Sequence, residues 1–143
     1  MEADRARYQL LEQHTRIRDH LERCVRLSHR LVDGEGVHGK LEDELVKLRT
    51  EFTQHNAAEA EVVRAFLARS AKWGALLVDR MMEEHAAEHA AVWEWLSGPV
   101  ESVAERIDDL AEELEAHMAA EERTFLSPSV LHEPAIARHT PES

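Results

Sequence analysis

Apolar residues recur at intervals of three and four along most of the chain, the spacing that lines one face of an α-helix. Four stretches carry the pattern. The first reads Leu10, His14, Ile17, Leu21, Cys24, Ser28, Leu31, and the second Leu41, Leu45, Leu48, Phe52, His55, Glu59, Val62, Phe66. The third reads Leu77, Met81, His85, His89, Val92, Leu96, and the fourth Val103, Ile107, Leu110, Leu114, His117, Glu121, Phe125. Every stripe has histidine, or histidine with glutamate, at positions that should face the core.

The stripes and the breakers between them predict four helices, over about 3–32, 40–68, the 69–74 turn to 96, and 102–125. The glycines of "DGEGVHG", residues 33–39, stop the first helix. "RSAKWG", 69–74, and "SGP", 97–99, separate the later ones. Ser102 and Glu105 form an S-x-x-E capping box, which places the fourth start near Ser102. Similar lengths and short connections predict an all-α fold, an antiparallel up-down four-helix bundle. The expected division is a bundle over 1–128 and a tail over 129–143 with two more prolines.

Composition agrees. The 143 residues suit one core, helix formers dominate, and the β-branched and aromatic residues typical of strands are sparse. The formal net charge of −12 argues against nucleic acid and against an anionic membrane surface. A lone cysteine, Cys24, on the first stripe, is expected to pack as a small hydrophobe. With no secretory signal in "MEADRARYQL" and no bilayer-length apolar run, a cytoplasmic location is expected. Trp73, Trp93 and Trp95 are expected at helix faces or a subunit contact, with the chain a monomer or weak homo-oligomer. His29, His38, His132 and His139 are expected on the surface or in the tail.

The core-facing polar residues raise the chemical question. Burying one unpaired carboxylate costs several kcal/mol, a large share of a domain stability of ~5–15 kcal/mol. A bound cation offsets that cost, and imidazole nitrogens with carboxylate oxygens are the ligand set of iron, manganese or zinc. Residues at i and i+4 share a helix face, so His55 with Glu59, His85 with His89, and His117 with Glu121 can converge, joined by His14. An isolated inward histidine is usually a hydrogen-bonded core residue, and an HxxxE pair is usually a salt bridge. Their conjunction on all four stripes is what points to metal. Level matching is good between the second and third helices. Between the third and fourth, His117 lies too far past Ser102, so a longer connection or an offset is expected.

These residues resemble the hemerythrin family in its single-domain bacterial HHE form. The matching segments are "LLEQHTRIRDHLE" with His14, "FTQHNAAE" with His55 and Glu59, "EEHAAEH" with His85 and His89, and "HMAAEE" with His117 and Glu121. The likeness covers about residues 8–128. It implies a non-haem di-iron centre: two iron ions, bridged by carboxylates, capped by histidines, with one position open to dioxygen. On the fourth helix the carboxylate is Glu121 or Glu122, and the stripe favours Glu121. On the first helix the histidine is His14 or His20, and the stripe favours His14. A ferritin-type site would need Glu-x-x-His pairs, and the only one, Glu35 with His38, lies in the glycine loop.

The expected function is therefore binding of dioxygen, for storage, delivery or sensing, in a pocket lined by Ile17, Leu21, Val62 and Leu114. An enzyme acting on peroxide, O2 or nitric oxide is the alternative, with Glu122 or His20 as a proton source. A metal-free interaction bundle is the third.

Overall fold

A computed structural model describes residues 2–67, 74–124 and 126–127. Among these the chain is all-helical, with no strand. Its elements are α1 (Glu2–Val32), α2 (His38–Val62), a π-helical turn (Val63–Leu67), α3 (Gly74–Leu96), α4 (Val100–Glu105) and α5 (Ile107–Arg123). No described helix is long and apolar enough to cross a membrane. The predicted 69–74 turn, apart from Gly74, lies outside the described residues, as do the predicted tail, Trp73, Phe125, His132 and His139.

α1 stops where the glycines predict. Gly34 sits at φ 89°, a conformation that suits a residue without Cβ. Its N–H reaches Leu31 O at 3.0 Å and that of Glu35 reaches Arg30 O at 3.0 Å, the paired bonds of a Schellman ending.

The predicted capping box is not used. α4 begins at Val100, directly after Pro99, so Ser102 lies inside the helix rather than at its cap. The last rod is broken at Arg106 (φ −113°, ψ 13°), whose guanidinium lies 4.5 Å over the Trp95 ring of α3. The break does not remove the level mismatch: even counted from Ile107, His117 is about 15 Å along α5, while His89 is about 10 Å before the end of α3.

α1 packs against α2 and α5, and α3 packs against α2 and α5. Among the described residues the core is two apolar clusters rather than one. The larger holds Ile17, Cys24, Leu41, Leu45, Phe52, Leu96, Ile107, Leu114 and Met118. The smaller holds Ala3, Leu10, Val63 and Leu126, with Val62, Phe66, Met81 and Met82 packed on it. Each fully buried leucine, isoleucine or phenylalanine stabilises the fold by about 1.5–3 kcal/mol. Between the clusters every long helix turns polar: His14 follows Leu10, His55 and Glu59 lie between Phe52 and Val63, His85 and His89 lie between Met81 and Val92, and Glu121 follows Met118.

Cys24 is buried, and burial pushes its thiol up to about 12, so it is an inert packing residue. His29 and His38 are surface groups beside Asp108 and Glu101. Trp93 is exposed, and Trp95 packs on the larger cluster.

Candidate metal centre

The polar layer gathers all seven residues of the predicted set. Ligand atoms of His14, His55, Glu59 and Glu121 lie within 4.8 Å of one another, and so do those of Glu59, His85, His89 and Glu121. The two groups share both carboxylates. Glu121 Oε1 is 2.9 Å from His14 Nε2 and 3.5 Å from His55 Nε2, while its Oε2 is 2.8 Å from His117 Nε2. Glu59 divides the same way. Its Oε2 is 3.1 Å from His55 Nε2, and its Oε1 is 3.1 Å from His85 Nδ1 and 3.9 Å from His89 Nε2. Each carboxylate thus turns one oxygen to each half. His117 joins the second half, its Nε2 3.3 Å from that of His89.

The halves differ in access. His14, His55, Glu59 and Glu121 are at most 2% exposed, whereas His85, His89 and His117 are 14–17% exposed. A cavity of about 580 Å³ between α3 and α5 reaches the three-histidine half. Phe52, outside the cavity, lies edge-on to His89 with ring centroids 5.5 Å apart. Of the expected pocket residues, Ile17, Leu21 and Leu114 lie in the larger cluster and Val62 packs on the smaller.

Outer contacts fix the imidazoles. His14 Nδ1 donates to Glu122 Oε2 at 2.8 Å, and Arg18 holds that carboxylate with both terminal nitrogens. His55 Nδ1 donates to Gln13 Oε1 at 2.8 Å, and His117 Nδ1 is 3.3 Å from Glu88 Oε1. His20 is elsewhere, bonded to Glu44 and Arg23. Glu122 contacts the outer nitrogen of His14, and Glu121 occupies the centre. Sequence reasoning missed Gln13, Arg18 and Glu88. Gln13 adjoins His14 and so falls about 100° off its stripe, where periodicity gives no signal. Arg18 stands one turn after His14, an i+4 signal that could have found it.

These bonds allow a test of fit to a cation. With their Nδ1 protons committed outward, neutral His14 and His55 present bare Nε2 lone pairs to each other, 3.1 Å apart, and to carboxylate oxygens. Acceptors facing acceptors need a cation between them. Glu121 Oε2 adds a buried oxygen with no hydrogen-bond partner, its contact with His117 lacking hydrogen-bond alignment. The donor set, imidazole and carboxylate, suits a transition-metal ion.

Protons do this work in the metal-free chain. Burial alone would lower His55, but hydrogen bonds to Glu121 and Glu59 outweigh it and raise it to about 9. His85 and His117 are raised too, against burial, by Glu59 and Glu121 respectively. Burial and the charge of His117 push His89 down to about 4. Burial alone would raise Glu121, but close contact with the imidazoles of His117, His14 and His55 outweighs it and holds the carboxyl well below the usual carboxylate range.

The signs fix a pH dependence. The stabilisation from the raised histidines is complete below about 6.5 and disappears as pH rises through about 9 for His55. That from Glu121 is complete above about 4.5 and is lost in acid. His89, lowered, also costs stability below about 6.5. The metal-free chain is therefore expected to melt highest near pH 5–6.5 and lower at pH 9. Metal-dependent stabilisation should grow over the same rise, since imidazole must be deprotonated to ligate. Melting scans with and without metal across pH 5–9 check both slopes.

An all-helical chain with five imidazoles and two shared carboxylates in one buried layer has the makings of a cation-binding protein. The model of the hemerythrin HHE cation binding domain matches residues 5–129, and the chain belongs to that family. No curated protein and no solved structure gives a significant match.

Proposed function

We propose that the layer holds two iron ions, one beside His14 and His55 and one beside His85, His89 and His117, with Glu59 and Glu121 bridging them. The sharing of both carboxylates between the two groups is the observation that carries this reading. We further infer an antiparallel up-down four-helix bundle, with α4 and α5 together forming its fourth rod; the neighbour pattern of α1, α2, α3 and α5 supports it.

Two ferrous ions held this way would supply electrons for reversible binding of dioxygen. The chain's own residues set the conditions. With His14, His55, Glu59 and Glu121, the buried half would offer an ion four protein ligands, against five for the other, so an open position would fall on the buried side. Phe52, Leu114 and Met118 keep the layer's larger-cluster side dry. Gln13 and Glu122 hold His55 and His14 in one tautomer by accepting their Nδ1 protons. Dioxygen binding for storage, delivery or sensing is the preferred role. The cavity at the three-histidine half favours a second reading, an enzyme acting on peroxide, O2 or nitric oxide, because it admits ligands larger than dioxygen.

Glu122→Gln, which weakens the partner of His14, is expected to lower metal affinity about 10–100-fold, measured by competition with a chromophoric chelator. Anaerobic loading followed by stopped-flow mixing with O2 separates the roles. A spectrum that forms and reverses under vacuum supports O2 binding. Rapid irreversible oxidation supports the enzyme, and less than one metal per chain sinks both in favour of a metal-free bundle.

A further inference from the structure

The mouth of the cavity between α3 and α5 carries charge of one sign. Glu84, Glu88 and Glu113 line this mouth, His85, His89 and His117 lie deeper, and among the described residues no Lys or Arg lines the cavity. Glu84 stands one turn before Glu88 on α3, and Glu113 one turn before His117 on α5, so the carboxylates lead along both walls toward the imidazoles. Small side chains, Ala116 and Ala120, leave the α5 wall open.

Several acids elsewhere are held by arginine. Arg18 holds Glu115 and Glu122, Arg16 holds Glu51, and Arg23 holds Glu44. Among the described residues, Glu84, Glu88 and Glu113 have no Lys or Arg at ion-pair distance; Glu88 contacts only His117. At the inner end of the cavity stands Glu121, 2% exposed, with Oε2 lacking a hydrogen-bond partner. A solvated acidic face would not need that buried oxygen at its base.

We propose that this cleft is the entry path for divalent cations, with Glu84, Glu88 and Glu113 as a transit funnel delivering them to the three-histidine half. The inference rests on the metal-centre reading and adds a route to it. A cleft of one charge sign with low-dielectric walls concentrates counter-ions and raises their on-rates by about 10–1,000-fold. The same field repels anions, so the ligands that follow the metal through the cleft are neutral or cationic. Among the described residues the ligands of the two-histidine half are fully buried, so its ion arrives by way of Glu59 and Glu121.

The test is stopped-flow uptake of Co2+ by the metal-free chain, followed by its visible absorption. Glu84→Gln/Glu113→Gln is expected to load about fivefold more slowly, and Glu84→Lys/Glu113→Lys more slowly still. Both should reach the wild-type end point of two Co2+ per chain. The differences should vanish in about 1 M salt, where the Debye length is about 3 Å. Glu42→Gln/Asp43→Asn, on the first turns of α2, should load at the wild-type rate. Variants that load as fast as wild type, or a remote control that slows equally, overturn the funnel while leaving the centre intact. A wild-type chain that takes up no Co2+ overturns both.

Discussion

Glu121→Ala is expected to abolish double occupancy of the centre and to destabilise the metal-free fold by about 3–5 kcal/mol. Glu121 faces three imidazoles on two helices besides its own contact region: His14 and His55 through Oε1, and His117, one turn away on α5, through Oε2. Without the carboxylate, His55 and His117 lose an anion that raises them against burial. The expected loss is a large share of a domain's ~5–15 kcal/mol. Urea unfolding of the metal-free chain measures it, and metal analysis after anaerobic reconstitution measures occupancy. Glu121→Gln keeps the shape but not the charge, so it should lose the second ion with a smaller cost in stability. Retention of two ions by Glu121→Ala would contradict a bridging role.

Metal loading is expected to have the largest effect in the opposite direction. A cation that binds only the folded chain stabilises it by about 4 kcal/mol at a free concentration 1,000 times its Kd. At roughly 2–4 °C per kcal/mol for a domain of this size, Tm should rise by about 10 °C or more. A chelator should reverse the rise. His20→Ala should leave it unchanged, because His20 bonds to Glu44 and Arg23 rather than to the layer. His55→Ala should remove most of it. Calorimetry of the four samples decides the matter, and a rise that survives His55→Ala would place the stabilising cation elsewhere.

The fold's main lines were legible because periodicity reports burial directly. The stripes of α1, α2, α3 and α5 coincide with the two clusters, and the positions at which they turned polar are those that meet between the clusters. Glu121 could be preferred over Glu122, and His14 over His20, because one residue turns a helix by about 100°. What stayed hidden depends on tertiary contact. Arg106 reads as an ordinary helix residue, and only its placement over Trp95 accompanies a break that Ser102 seemed to put elsewhere. Gln13 and Glu88 lie beside the stripes, and nothing in their spacing says which imidazole each will hold. The asymmetry of access was equally invisible, since it depends on the cavity that α3 and α5 line together.

The most direct measurement is anomalous diffraction at the iron edge from crystals of the anaerobically loaded chain. Two peaks are expected within the polar layer. One should be liganded by His14 and His55, the other by His85, His89 and His117, with an oxygen of Glu59 and an oxygen of Glu121 on each. A single peak, or peaks that leave either carboxylate on one ion only, would contradict the bridged two-ion centre.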